Sequence, residues 1–274
     1  MTQPMTFVTQ PVSPATKAGR SSLMIQRMLA SALIAGFAAG LLAALLHFAF
    51  VQEYILLGEQ YESGEVVHFK AAADHAHAAE PTPEAPNPEA PTPEAHDHGD
   101  HDHGAGGMVS ELQRNGLTVL FAGLIYVAYG LILVAGFGVA ESFGLTITPR
   151  EGLMWGIAGF VSFQLAPAMG LAPELPGTIA ADLTARQIWW WGTVLATGTG
   201  LGMLAYGRGY LTMGLAVLLL AAPHVIGAPL PDGYWGVAPP EVGAIFSARV
   251  LATALVVWAV LGWLAARLWA EKPA

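Results

Sequence analysis

Long runs of apolar residues alternate with short polar joints along most of this chain, and one long stretch without any apolar pattern interrupts them. The first run, Met28 to Val51, spans 24 residues and is broken chiefly by Ser31 and His47. That length suits one crossing of a bilayer, which takes about 20 residues. It exceeds the apolar core of a cleavable leader, roughly 7 to 15 residues, so it reads as a retained helix over 24–51 behind a flexible tail at 1–23. Further runs follow at about 117–139, 152–171, 188–206, 210–227 and 246–267, with a short tail at 269–274. The pattern predicts an all-α integral membrane protein of about six transmembrane helices, with a bundle over 117–268. Only Gly207-Arg208-Gly209 separates the runs 188–206 and 210–227, and the latter is short for a bilayer. A five-span arrangement with that pair counted differently is the alternative. Gly36-xxx-Gly40 and Gly152-xxx-Gly156 predict helices packed backbone to backbone.

The interruption covers 52–116. Tyr54 to Phe69 is mixed in character and suits a short amphipathic helix at the membrane surface. Asp74-His75-Ala76-His77 follows, then PTPEA, PNPEA and PTPEA from Pro81 to Ala95. Prolines so spaced forbid a helix and favour an extended polyproline II stalk. The stalk ends in His96-Asp97-His98-Gly99-Asp100-His101-Asp102-His103 and a glycine-rich return. Nothing here buries a core, so a disordered His/Asp- and Pro-rich loop is expected.

Composition sharpens this reading. Of 274 residues, 54% are hydrophobic and 11% charged, about half the charge of a soluble domain. Without cysteine, disulfides and thiolate metal sites are excluded. The net charge of −9 is uneven, because residues 52–116 hold 13 acidic residues against Lys70 and Arg114. With six spans and a cytoplasmic N-terminus, Lys17, Arg20, Arg27, Arg150, Arg208, Arg267 and Lys272 fall inside. Lys70, Arg114, Arg186 and Arg249 then fall outside. The positive-inside rule favours that arrangement and puts the histidine-rich loop on the outer side.

Six of the nine histidines lie between His75 and His103: His75, His77, His96, His98, His101 and His103, interleaved at the far end with Asp97, Asp100 and Asp102. Neutral imidazole ligates Zn, Cu, Ni and Co, while carboxylates add harder donors and balance charge. A flexible tract imposes no geometry, so it suits loose, pH-dependent capture of a divalent ion. The competing reading is a solvated acidic linker. A second candidate site lies where the apolar pattern is broken by Ala172-Pro173-Glu174-Leu175-Pro176-Gly177 and by Pro223-His224. Interrupted spans are where transporters build polar sites. Glu174, His224 and His47 could there form a mixed N/O metal site. The alternative is a connecting turn, with histidines that snorkel or cap helices. Asp182 and Arg186, four residues apart, read as a helix-start ion pair. Trp189 to Trp191, Trp235, Trp258, Trp263 and Trp269 read as an interfacial belt. No nucleophile elbow, phosphate loop or His-Glu-x-x-His helix occurs, so neither an enzyme nor an organic cofactor is expected. A membrane-anchored metal sensor and a membrane enzyme acting through Glu174 and His224 are the rival classes.

Three pieces are specific in combination: Gly170-Leu171-Ala172-Pro173-Glu174-Leu175-Pro176-Gly177, Arg186-Gln187-x-Trp189-Trp190 and Pro223-His224-x-x-Gly227-Ala228-Pro229. Over residues 24 to 268 the chain resembles the CbtA family of probable cobalt transporter subunits. The family more often has proline where Ala172 stands, and the proline-rich stalk is a departure from its pattern. The resemblance implies uptake of Co²⁺ associated with cobalamin synthesis, across a bacterial cytoplasmic membrane. It also implies a CbtB-like companion, a very small single-span protein with its own histidines. Cobalt over Ni²⁺ or Zn²⁺ comes from the resemblance alone, since these ligands bind nickel more strongly than cobalt. The partners expected are thus membrane lipid, a divalent ion and the companion, with no nucleic acid.

Overall fold

The computed structural model describes residues 14–68 and 105–270, with side chains from Ile25 to His68 and from Ser110 to Ala270. The elements are α1 (Pro14–Phe50), α2 (Gln52–Ser63), α3 (Ala105–Ser142), α4 (Pro149–Phe160), a π turn (Val161–Leu165), α5 (Ala166–Ala168), α6 (Leu183–Tyr206), α7 (Tyr210–Ile226) and α8 (Pro240–Ala270). No strand occurs among the described residues, only an isolated antiparallel bridge between Thr178 and Gly236. Three helices are long and apolar enough to cross a membrane: Ile25–Phe50, Ser110–Ser142 and Pro240–Ala270. The other expected spans coincide with α4–α5, α6 and α7, which are shorter or less apolar. The acidic histidine-rich stretch lies outside the described residues.

Local sequence explains where the helices begin. Thr148 accepts from the Glu151 amide while the Glu151 carboxylate accepts from the Thr148 amide, with Pro149 at the first helical position. This capping box starts α4. Asp182 accepts from the Ala185 amide at 2.9 Å and starts α6. Arg186 instead reaches back to Glu174, so the expected Asp182–Arg186 pair is corrected. The carboxylate of Asp182 is spent on an otherwise unpaired backbone donor.

The bundle is organised on α8, which packs against α4, α1 and, less extensively, α3. Both small-residue motifs act as expected. A Cβ on Gly36 would meet Val127 Cα at 2.5 Å, and one on Gly40 would meet Gly123 Cα at 2.5 Å, so α1 and α3 touch through backbone. Gly152 and Gly156 lie equally close to Gly262 and Trp258 of α8. Small residues on α4 make the recess that Trp258 fills. Its ring lies beside Gly159, with centroids 4.6 Å from Tyr129 and 5.6 Å from Phe163. Trp258 and Trp269 are each 1% exposed, which corrects their reading as belt residues. Facing glycines admit the first ring. The second is held by a hydrogen bond from its indole N–H to Glu141 Oε1 at 2.7 Å and by the Arg27 guanidinium 4.2 Å over its face. Trp191, Trp235 and Trp263 remain exposed.

At the opposite end of α1 a smaller apolar cluster joins Val51, Leu175 and Phe246. Gly58 of α2 sits under Leu175 and Pro176, and Ser247 Oγ donates to Pro173 O at 2.6 Å. Trp189 Nε1 donates to Pro223 O at 3.2 Å. The end of α1, the Pro173–Pro176 turn and the end of α7 therefore gather at one end of the bundle.

Candidate functional site

Beyond Gly40, α1 and α3 no longer touch through backbone, and a cavity of about 570 Å³ opens between them, α8 and the π turn. Helical periodicity builds its walls. Ala43, Ala44 and His47 line it from α1, with Val51 just past the helix end, and Leu117, Phe121 and Ile125 form one stripe of α3. Val250, Ala254 and Val257 supply the α8 wall. These walls are apolar, and the polar groups among them are few: His47, Arg114, Thr118, Tyr126, Gln164 and Thr253. Among the described residues no carboxylate lines the cavity. Thr118 and Thr253 donate to the carbonyls of Arg114 and Arg249 four residues earlier, at 3.0 and 2.8 Å. Their protons are committed, so only oxygen lone pairs remain to face the cavity. The His47 ring is half-buried and packs edge-on against Phe48 at 5.7 Å.

Gln164 reaches the cavity through a departure from α-helical geometry. The Ala166 amide donates to Val161 O, five residues back, closing a wide turn just before Pro167. Such π turns are rare and occur frequently at functional sites. Ser162 Oγ donates to Ala158 O at 2.8 Å within the same turn. Among the described residues the Gln164 amide has no hydrogen-bond partner. Sequence reasoning passed over Gln164. Its signal was a lone amide in Val161-Ser162-Phe163-Gln164-Leu165, two residues before the Ala166-Pro167 pair.

The mouth of the cavity is bridged by polar contacts from α2. Glu59 lies 3.9 Å from Arg114, and Gln52 Nε2 donates to Asn115 Oδ1 at 3.4 Å. Arg249 of α8 pairs with Glu53, donates to Phe50 O at 3.1 Å and stacks over Tyr54 at 4.5 Å. Both ion pairs are at least a third exposed, so each is worth at most about 1 kcal/mol. They can break and re-form.

Of the residues nominated from sequence, His75, His77, His96, Asp97, His98, Asp100, His101, Asp102 and His103 lie outside the described residues. His47 opens into the cavity. Glu174 Oε2 accepts from Arg186 Nη2 at 3.0 Å. His224 is exposed on the last turn of α7, edge-on to Trp189 with ring centroids 6.5 Å apart. Among the described residues no three His, Asp or Glu side chains gather as a metal site. Glu174, His224 and His47 are thus not brought together: a guanidinium takes the carboxylate, and the two imidazoles face different surroundings. His47 instead shares the cavity lining with Arg114, Thr118, Tyr126, Gln164 and Thr253.

A family model described as "Probable cobalt transporter subunit (CbtA)" matches residues 25–270. No curated protein and no solved structure matches the chain.

Proposed function

The chain belongs to the CbtA family of probable cobalt transporter subunits, and on that premise we propose that it carries Co²⁺ across the bacterial cytoplasmic membrane through the His47 cavity. Its apolar helices make it a membrane protein. In this reading all six helical passes are embedded, and the histidine-rich stretch lies on the outer side as the capture element. A CbtB-like single-span companion completes the transporter, and cobalamin synthesis consumes the ion.

One observation carries the handover from capture to passage. The segment holding His75 to His103 leaves the end of α2 at Ser63 and returns as α3 at Ala105. Those same two helices meet across the cavity mouth through Glu59 and Arg114. Chain connectivity therefore ties the segment that carries six imidazoles to the two helices that meet at the opening leading to His47. A tethered ligand set raises the local ion concentration without making a tight site, which suits an element that must release what it binds. The apolar walls accommodate the chain's own packing, and the few polar groups mark the ion's path.

The test is labelled Co²⁺ accumulation in cells lacking other cobalt uptake, with the chain alone and with its companion. Deleting 96–103 is expected to raise the half-saturating cobalt concentration and to leave the maximal rate. The parent's half-saturating concentration should rise as pH falls through about 6.5, where imidazole protonates and stops ligating. The deletion should flatten that dependence. His47→Ala should lower the maximal rate instead. Cobalt binding through the histidine tract with no accumulation in any variant would refute transport and leave a sensor.

A further inference from the structure

We infer that Gln164 is a ligand-supplying residue inside the cavity: its amide oxygen, with the His47 imidazole and the hydroxyl oxygens of Tyr126 and Thr253, forms a transit subsite for a partly hydrated divalent cation. This rests on the reading of the cavity as the cobalt route and adds a site to it.

Three observations converge. First, the amide is half-buried in a cavity with mostly apolar walls and has no hydrogen-bond partner among the described residues. The lone pairs of its amide oxygen are therefore left for whatever enters the open cavity, water or an ion. Second, the backbone departs from the α-helix where this residue stands, through the Val161–Leu165 π turn. A π turn adds a residue to one turn and re-aims the side chains it contains. Third, the donors around the cavity have a consistent character. Among the described lining residues one imidazole and several neutral oxygens are present, with the Arg114 guanidinium at the mouth and no carboxylate.

That donor set decides the chemistry. Imidazole with amide and hydroxyl oxygens suits a borderline divalent ion that keeps part of its water shell. Without an anionic ligand the ion gains little Coulomb energy in the cavity, so it is held weakly and leaves quickly. Conduction needs that balance: binding strong enough to enter and weak enough to release. The Arg114 guanidinium at the mouth is paired with Glu59 at 3.9 Å, which offsets its repulsion of an incoming cation.

The experiment compares Gln164→Leu and Gln164→Glu with the parent in cobalt accumulation, beside His47→Ala, and measures Co²⁺, Ni²⁺ and Zn²⁺ in competition. Unfolding midpoints in detergent establish that each variant is folded. Leucine keeps the size and removes the donor, so the maximal rate should fall roughly 10-fold, at the low end of what lost metal-orienting groups cost. Glutamate adds a charged ligand, so the half-saturating concentration should fall while the maximal rate also falls, because release slows. The preference among the three ions should change with it. A merely structural glutamine would not produce a lower half-saturating concentration together with a lower maximal rate. If His47→Ala is impaired and Gln164→Leu transports like the parent, the inference about Gln164 is wrong and the cavity reading stands. If His47→Ala also transports like the parent, the cavity reading fails and this subsite with it.

Discussion

Replacing Gly40 with alanine tests the α1–α3 contact that closes the cavity from below. The added Cβ would stand 2.5 Å from Gly123 Cα and 2.9 Å from Ala122 O. Ordinary carbon–carbon contact is about 3.5–4.0 Å, so the helices must separate by about 1 Å. Both opposing atoms are backbone, and no side chain can rotate away. Overpacking of this kind costs about 1–3 kcal/mol, and in a bilayer helix association rests largely on such van der Waals fit. Gly202→Ala is the matched control, because nothing lies within 4 Å of its Cβ position on α6. There the substitution should be neutral or stabilise by up to about 1 kcal/mol through lost backbone freedom in the unfolded chain. Reversible unfolding in mixed micelles reads both variants against the parent. Equal stability of the two would refute the claim that α1 and α3 touch through their backbones at Gly40.

The other expectations concern polar contacts. For Glu174 and Arg186, roughly a third exposed, a double-mutant cycle should return a coupling below about 1 kcal/mol. Glu174→Gln should leave the half-saturating cobalt concentration unchanged, and a rise would restore this carboxylate as a metal ligand. Glu141→Ala removes the acceptor of the buried Trp269 N–H and the partner of Arg27 at 3.8 Å. It should destabilise by about 1–3 kcal/mol, with Glu141→Gln recovering most of the loss in the same unfolding assay.

Much of the architecture was legible because membrane helices announce themselves by length and apolarity, and close helix contacts by small residues four apart. Gly36, Gly40, Gly152 and Gly156 were readable on those grounds. What failed had a different physical basis. Asp182 and Arg186 match an i,i+4 pair along a helix, but a cap and a turn 12 residues back compete for the same side chains. Periodicity along one element cannot see either competitor. Trp258 and Trp269 look like interfacial tryptophans because composition does not report which face of a helix meets a recess. His47 was legible as a lone imidazole near a helix end. Gln164 was not, because a lone amide before Ala166-Pro167 does not by itself report that the backbone leaves α-helical geometry there. The assembly of Glu174, His224 and His47 into one site assumed that prolines at one end of a bundle bring their neighbours together. The turns do converge, but their side chains take other partners.

The shortness of α7 has a consequence for the lipid around it. Its 17 residues give a rod of about 25 Å, whereas the hydrocarbon core is about 30 Å thick. Gly209 and Gly227, at φ +92° and +84°, bracket it in a backbone conformation that side-chain-bearing residues rarely adopt, so neither end lengthens easily. Among the described elements α7 packs only against α6, so as an embedded pass it would present the rest of its circumference to acyl chains. In the six-pass reading proposed above, the bilayer pinches by about 5 Å at that corner. The resulting dimple favours shorter or more disordered lipid tails there, and makes the thickness of the host membrane a determinant of how easily this protein is accommodated.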